Sequence, residues 1–221
     1  MSYLKREQIE ELEQRFGSPL RLGTRCEISG PELAMLRSSR KHERSHDVTL
    51  FIFQDEDYGE FVGISKHMFP EGIYRAPSGA VHPEEDFVTG AQREAKEETG
   101  LEVEFDRFIL LIEATFTHGD QREPWTSYVF TAFTRGEALN PIDIDEIKEA
   151  RWITFEELQG DIRERMVSTG AGLFRYRVYL HDAAFKAISV LRGGLDDQSA
   201  DGGDQGAGRS DPEIQLLGDH G

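Results

Sequence analysis

Residues 79–101 read GAVHPEEDFVTGAQREAKEETGL, and the spacing of glycines and acids in this stretch decides how the rest of the chain is read. On a helix turning about 100° per residue, Glu94, Glu97 and Glu98 fan over an arc of roughly 100° beside a small-residue stripe of Val88, Ala91 and Ala95. The acids therefore border the buried face. Asp86 suits the N-cap, and Gly100 suits the left-handed position just past the last turn. These signals predict a helix from about Phe87 to Thr99. Gly90 inside it costs roughly 1 kcal/mol relative to alanine, which points to close approach of the helix to a sheet.

Glu94 and Glu98, spaced i,i+4, repel one another by a few tenths of a kcal/mol in an isolated helix, so a cation between them is the natural compensation. Hard oxygen ligands on one short helix fit Mg2+ or Mn2+. Magnesium keeps several waters and favours a few carboxylates completed by phosphate oxygens. A triplet of glutamates alone would more often be a solvated charged face. With Gly79, Glu85, Arg93 and Gly100 also in register, the metal site is the better reading.

The chain has 221 residues, enough for one domain with extensions and a proper core. The start, MSYLKREQIEEL, is charged throughout, and no apolar stretch is long enough to span a bilayer, so a cytoplasmic protein without a membrane partner is expected. Cys26 stands alone and reads as a strand position rather than a nucleophile. A net charge of −17 argues against nucleic acid as a partner, since there is no broad basic surface to displace counterions. An anionic substrate would need bound divalent ions and a local cluster of basic side chains.

Along the chain, a charged helix is expected over Leu4 to Phe16, a strand at LRLGTRCEIS and a short helix from Gly30 to Leu36, followed by the basic run Arg37 to His46. Strands follow at Asp47 to Gln54, Glu60 to Ser65 and Ile73 to Pro77. After the acidic helix come LEVEF, RFILLIEATF, a polar loop THGDQREP and the strand WTSYVFTAFT. Ala150 to Ile153 supplies a last strand, and Thr154 with Glu157 forms a capping box. Asp161 to Ser168 and Leu173 to Leu191 look helical. From residue 193 on, Gly and Asp dominate, with only Ile214, Leu216 and Leu217 apolar near the end, which reads as a disordered acidic tail.

The opening stretch fits the pattern GX5EX7REUXEEXGU at every defined polar and glycine position, with Ala95 where a bulkier aliphatic is usual. That pattern is the Nudix box, here residues 79–101, and the chain thus resembles the Nudix hydrolases over residues 47 to about 160. That resemblance implies an α+β fold, an αβα sandwich with a mixed β-sheet, here carrying an N-terminal extension (1–46), C-terminal helices packed on the core (161–192) and the tail (193–221). In the family, the glutamates matching Glu94, Glu97 and Glu98 bind Mg2+ or Mn2+. The arginine matching Arg93 orients a glutamate, Gly79 can offer its carbonyl to the metal, and Glu85 orients more than it ligates.

The implied reaction is attack of water on a phosphorus of a nucleoside diphosphate linked to another moiety, with ADP-ribose or a nucleotide sugar first and a nucleoside triphosphate second. Its general base is left open between Glu98 and the later acids Asp120, Glu123, Glu146 and Glu149. Arg75, Lys66 and His67 are candidates for phosphate contacts, and His118 and Trp125 for base or sugar. The basic run from Arg37 to Arg44 could meet the acidic surface of a second subunit in a homodimer. Subfamily signatures for ADP-ribose, dinucleoside polyphosphate, coenzyme A or NADH substrates are not visible. The alternative is a non-catalytic Nudix domain that senses a nucleotide as a binding or regulatory module; prenyl diphosphate isomerisation on the same fold lacks its usual second acid and cysteine here.

Overall fold

A computed structural model describes residues 4–40, 44–136 and 138–200, with side chains described up to residue 193. The elements in order are α1 (Arg6–Phe16), β1 (Leu20–Glu27), α2 (Gly30–Ser38), β2 (His46–Phe53), β3 (Glu60–Lys66), β4 (Ser78–Gly79), α3 (Phe87–Thr99), β5 (Glu104–His118), β6 (Gln121–Phe133) and β7 (Ile147–Thr154). A single turn α4 (Phe155–Glu157) then runs through a π-helical turn (Leu158–Ile162) into α5 (Arg163–Ser168), and α6 spans Gly172–Ala200. Among the described residues no helix is long and apolar enough to cross a membrane.

The strands form one mixed sheet in the order β1-β5-β6-β2-β3-β7, with β4 paired to β2. Strand β1 runs parallel to β5 and β2 parallel to β6, while β5–β6, β2–β3 and β3–β7 are antiparallel. Helices cover both faces. On one face α1 and α3 place Leu12, Phe87, Val88, Ala91 and Ala95 against Leu50, Ile52, Tyr128 and Phe130. On the other, α2, α5 and α6 place Leu36, Met166, Leu180 and Ile188 against Phe51, Phe53, Phe61 and Ile112. Burial on both faces explains why β2 is buried at every residue and shows no alternation. This is the mixed-sheet α+β architecture expected above, with β1 of the N-terminal segment hydrogen-bonded into the sheet.

Strands β2 and β3 meet only at Phe53 opposite Phe61 and diverge beyond that point. The chain from Ile73 to Gly79 enters the opening. Arg75 forms an isolated bridge with Ile64, Leu50 N donates to the Pro77 carbonyl, and Ser78 and Gly79 pair with Thr49 and Val48. A full strand over Ile73 to Pro77 does not form; Pro77 has no N–H to give, so pairing shrinks to the Arg75 bridge and the two residues of β4.

Two other expectations change. Only Glu104 and Phe105 of LEVEF are strand, joined with RFILLIEATF in the single strand β5, and most of the expected THGDQREP loop is strand, because β5 and β6 continue to a tight turn. Gly119 at φ 56° takes the first corner of that two-residue turn, a conformation glycine adopts without strain. At the other end of the chain, α6 continues to Ala200, past the residue where the tail was expected to begin; residues 201–221, including the apolar tip, lie outside the described residues.

Candidate active site

Helix α3 starts and stops where its caps predict. Asp86 accepts a hydrogen bond from the Thr89 amide, and Gly100 ends the helix at φ 81°. The Val88, Ala91, Ala95 stripe is buried as expected, and Glu98 is buried with it at 5% exposure, so one acid of the three lies on the core face rather than at its border. The C-terminal end of α3 is capped by the loop preceding β7. Asn140 N donates to the Thr99 carbonyl, and both Ile142 N and Asp143 N donate to the Glu97 carbonyl. These bonds satisfy carbonyls that a helix end leaves without partners.

Arg93 is the hub of the helix's outer acids. Its Nε and Nη2 make a forked pair with Glu85 at 2.7 and 3.0 Å, Nη2 also donates to the Ala80 carbonyl, and Nη1 donates to Glu94 at 2.9 Å and Glu97 at 3.0 Å. The Arg93 bonds, aided by the His82 amide, outweigh desolvation and hold the Glu85 carboxyl down at about 2. Gly90 serves this contact. A Cβ there would lie 2.6 Å from Glu85 Oε2 and 3.0 Å from Val81 Cγ1, so the close approach is to the loop preceding the helix and not to the sheet.

Glu98 faces inward to a different set of partners. Its Oε2 accepts from the Ser78 amide at 2.8 Å, and its Oε1 lies 3.1 Å from Lys66 Nζ and 3.6 Å from Arg75 Nη2. Lys66 also bonds Glu146, and Arg75 donates to Ser78 Oγ. Burial, together with the neighbouring Arg177 cation, lowers Arg75 to about 10 against the pull of Glu98.

These residues fit a divalent cation in one specific respect. A Cβ at Gly79 would overlap the Glu94 carboxylate, so that carboxylate lies directly against the Gly79 backbone. Burial raises the Glu94 pKa, and although Arg93 opposes this, the charges of Glu98 and Glu97 add to it; a cation would relieve that strain. The donors are oxygens throughout, as Mg2+ and Mn2+ require. Among the described residues no three acid, histidine or cysteine side chains already converge as a ligand group. Arg93 Nη1 lies between Glu94 and Glu97, so a cation bound there would take over contacts that Arg93 makes in this conformation.

Residues proposed from the sequence divide cleanly by position. Glu85, Arg93, Glu94, Glu97, Glu98, Gly79, Lys66, Arg75 and Glu146 form one connected cluster. His67 stands beside it, its Nε2 on the Ile144 carbonyl. Glu149 instead accepts from Tyr74 OH. His118 Nδ1 turns to the Ile28 carbonyl at the tip of the β5–β6 hairpin, where Asp120 also lies. Trp125 is buried and donates to Asp47. Glu123 is held by Arg37 and Arg40, so these two members of the basic run meet an acid of their own chain; residues 41–43 lie outside the described residues.

Sequence reasoning missed Ser78, Asp47 and Arg177. Asp47 is the second residue of a fully buried strand, and a buried acid demands a partner. That partner is Arg177, which reaches Asp47 Oδ2 at 2.8 Å from α6. Burial pushes Asp47 up, but Arg177, with bonds from Ser127 and Trp125, holds it below its ordinary value. The visible signal was the pair Arg177 and His181, one helical turn apart among the apolar residues of α6.

The family model described as NUDIX domain matches residues 38–174. Curated proteins similar to this chain include Nudix hydrolase 2 of Arabidopsis thaliana, 29% identical over 122 residues, a span that takes in 51% of this chain and 37% of that protein. Nudix hydrolase 8 of the same plant is 33% identical over 88 residues, 39% of this chain and 22% of that protein. The chain therefore spans well under half the length of these relatives. A solved structure described as UDP-X diphosphatase is 18% identical, covers 79% of this chain and 78% of its own, and superposes with a TM-score of 0.42. Because the match at 38–174 takes in more than half of the chain, and within it the whole of the acidic helix and the strands from β2 to β7, this chain belongs to the Nudix family.

Proposed function

We propose that the chain is a Mg2+- or Mn2+-dependent hydrolase that splits the pyrophosphate bond of a small nucleoside diphosphate derivative. The observation that carries this reading is the seating of Glu94 against the Gly79 backbone, with Glu98 bonded to the adjacent Ser78 amide. It brings the acids of α3 and the backbone of β4 to one place. Glu94, Glu97, Glu98 and the Gly79 carbonyl would hold the metal, which, when bound, neutralises phosphate oxygens and makes water more acidic.

The protein's own residues supply the rest. Arg93 fixes Glu85, and through it the loop from Ala80 to Glu85, so that the Gly79 carbonyl keeps its direction. Lys66 and Arg75 are the only two basic side chains among the described residues that are themselves buried at the box, and they place positive charge beside Glu98. That charge offsets the protein's acidity where a diphosphate must enter. Glu146, joined to Glu98 through Lys66 yet half exposed, is our choice for the proton acceptor among the later acids. An oxygen of water bonds to phosphorus as the bridging P–O bond breaks, and the water's proton passes to that carboxylate. The attached moiety is ADP-ribose-like or a sugar in the first reading and a further phosphate in the second.

Incubation with Mg2+ and a panel of nucleoside diphosphate derivatives tests this reading, and 18O-labelled water marks the attacked phosphorus. Glu97→Gln and Glu98→Gln should each lower kcat by about a hundredfold or more while the protein stays folded. Tight binding of one nucleotide without turnover anywhere in the panel would make the domain a sensor instead. Full activity in both variants would remove the metal assignment.

A further inference from the structure

The family match ends at residue 174, the third residue of α6, and the next turn of that helix reaches Ser78, the residue before Gly79. Arg177 Nη2 donates to Asp47 Oδ2 at 2.8 Å and to Ser78 Oγ at 3.2 Å. Its position is fixed from behind, because Asp47 is buried and its other oxygen accepts from Trp125 Nε1 and Ser127 Oγ. Ser127 Oγ in turn lies 2.6 Å from Tyr176 OH, the residue preceding Arg177 on α6. Both ends of the guanidinium's anchor are therefore tied, one to β6 and one to the helix itself.

On the side of the box, Ser78 joins two arginines to one acid. Its hydroxyl receives Arg75 as well as Arg177, and its amide donates to Glu98 Oε2 at 2.8 Å. This clamp replaces what β-sheet pairing does not supply. Strand β4 has only two residues, it follows a proline without an N–H, and it lies in the opening where β2 and β3 diverge. A segment so weakly laddered needs side chains to fix its register.

We propose that Arg177 is a positioning residue of the Nudix box. Acting through Ser78, it sets β4 against Glu98, so the C-terminal helix, outside the family match, is a working part of the site. Its role runs through Ser78 and Asp47, the side chains it bonds. The proposal rests on the reading of the box as a metal-dependent hydrolytic site. The competing account is that Arg177 only neutralises the buried Asp47, and the two accounts separate at Ser78. Ser78→Ala removes the hydroxyl that Arg177 and Arg75 both reach, leaves the Asp47–Arg177 pair whole and keeps the backbone amide that bonds Glu98, and a substitution at Arg177 tells the two arginines apart.

The test uses the full chain and three readouts: amide-proton exchange at Ser78 and Gly79 by NMR, Mn2+ titration, and steady-state kinetics with Mg2+ on a substrate found in the panel. For Ser78→Ala we expect the Ser78 amide to exchange about tenfold faster while amides of Leu180 and Ala184 in α6 are unchanged. Mn2+ binding should weaken about fivefold, and kcat should fall about tenfold with KM altered less than about threefold, because misplacement acts on the reacting geometry more than on binding. Arg177→Lys, which keeps a charge and the Arg75–Ser78 bond but not the reach by which Nη2 meets both Asp47 and Ser78, should do the same, and wild-type values there would give the clamp to Arg75 alone and overturn the proposal; if it fails to fold, the double variant Asp47→Asn/Arg177→Gln, which buries no lone charge, takes its place. Wild-type exchange, Mn2+ affinity and kcat in Ser78→Ala would overturn the proposal and leave Arg177 as the partner of Asp47 only. If the native chain binds Mn2+ without hydrolysing anything, the hydrolase reading fails by itself, and exchange and Mn2+ affinity still judge the clamp. If the native chain does not bind Mn2+, both fall.

Discussion

A methyl group at residue 79 would overlap the Glu94 carboxylate, and one at residue 90 would press on Glu85 and Val81. Both glycines are therefore kept by contact and not by backbone conformation, and they lead to different predictions. Gly79→Ala pushes Glu94 off the β4 backbone, so Mn2+ affinity measured by calorimetry should fall by about tenfold or more with the fold retained. Gly90→Ala gains about 1 kcal/mol of helix propensity but displaces a carboxylate held by a forked arginine. The melting temperature should therefore hold or rise while kcat drops several-fold. A variant that melts low with unchanged kcat would mean that Gly90 serves packing alone. The sequence placed the acids, the hub arginine and both caps of α3 because each has a local spacing signature. It did not place Ser78 or Arg177, whose roles depend on which chain segment fills the gap between two diverging strands.

At the level of elements, the helices and the buried strands were legible, and the misreadings share a cause. Polarity makes THGDQREP read as a loop, but strand pairing between β5 and β6 is decided by backbone register, and of its polar side chains only Glu123 is buried. The strand expected over Ile73 to Pro77 does not form, because proline and the splaying of β2 from β3 leave it little to pair with. The extended hairpin gives Glu123 a structural task. Its carboxylate, 8% exposed, joins β6 to α2 through Arg37 and Arg40. Glu123→Gln should destabilise the protein by about 1 kcal/mol in urea denaturation, a modest figure because Arg37 is nearly half exposed and screened by water. Hydrolysis should be unaffected. A loss of turnover without loss of stability would return Glu123 to the list of possible bases.

For the molecule as a whole, the two histidines buried on and beneath the sheet set how it meets acid. His181, on α6 against Phe51, is lowered to about 3 by burial, with the Arg177 and Arg75 charges adding to the effect. His46, at the start of β2, is lowered to about 4 by burial and Arg44, against the opposite pull of Asp47. Both folded values lie below the unfolded value near 6.5, so the sign is fixed: above about pH 6.5 both states are neutral and the residues contribute no slope. Below it the unfolded chain takes up protons that the folded chain refuses, and stability falls by about 1.4 kcal/mol per pH unit for each histidine until the folded pKa is reached. Between about pH 6.5 and 4.5 the loss should come to about 2–3 kcal/mol per histidine, before the carboxylates held low, Glu85 and Asp47, begin to protonate. His181→Leu removes one of the two contributions and leaves the apolar contact with Phe51. Its unfolding free energy, measured by urea denaturation across that range, should decline about half as steeply with falling pH as that of the native chain. An unchanged slope would mean that His181 accepts its proton without unfolding, and that the arginines beside it, Arg75 and Arg177, move apart to admit the charge. In that event the clamp on Ser78 would loosen in the same pH range, and the Ser78 amide would exchange faster there, which the same samples can report.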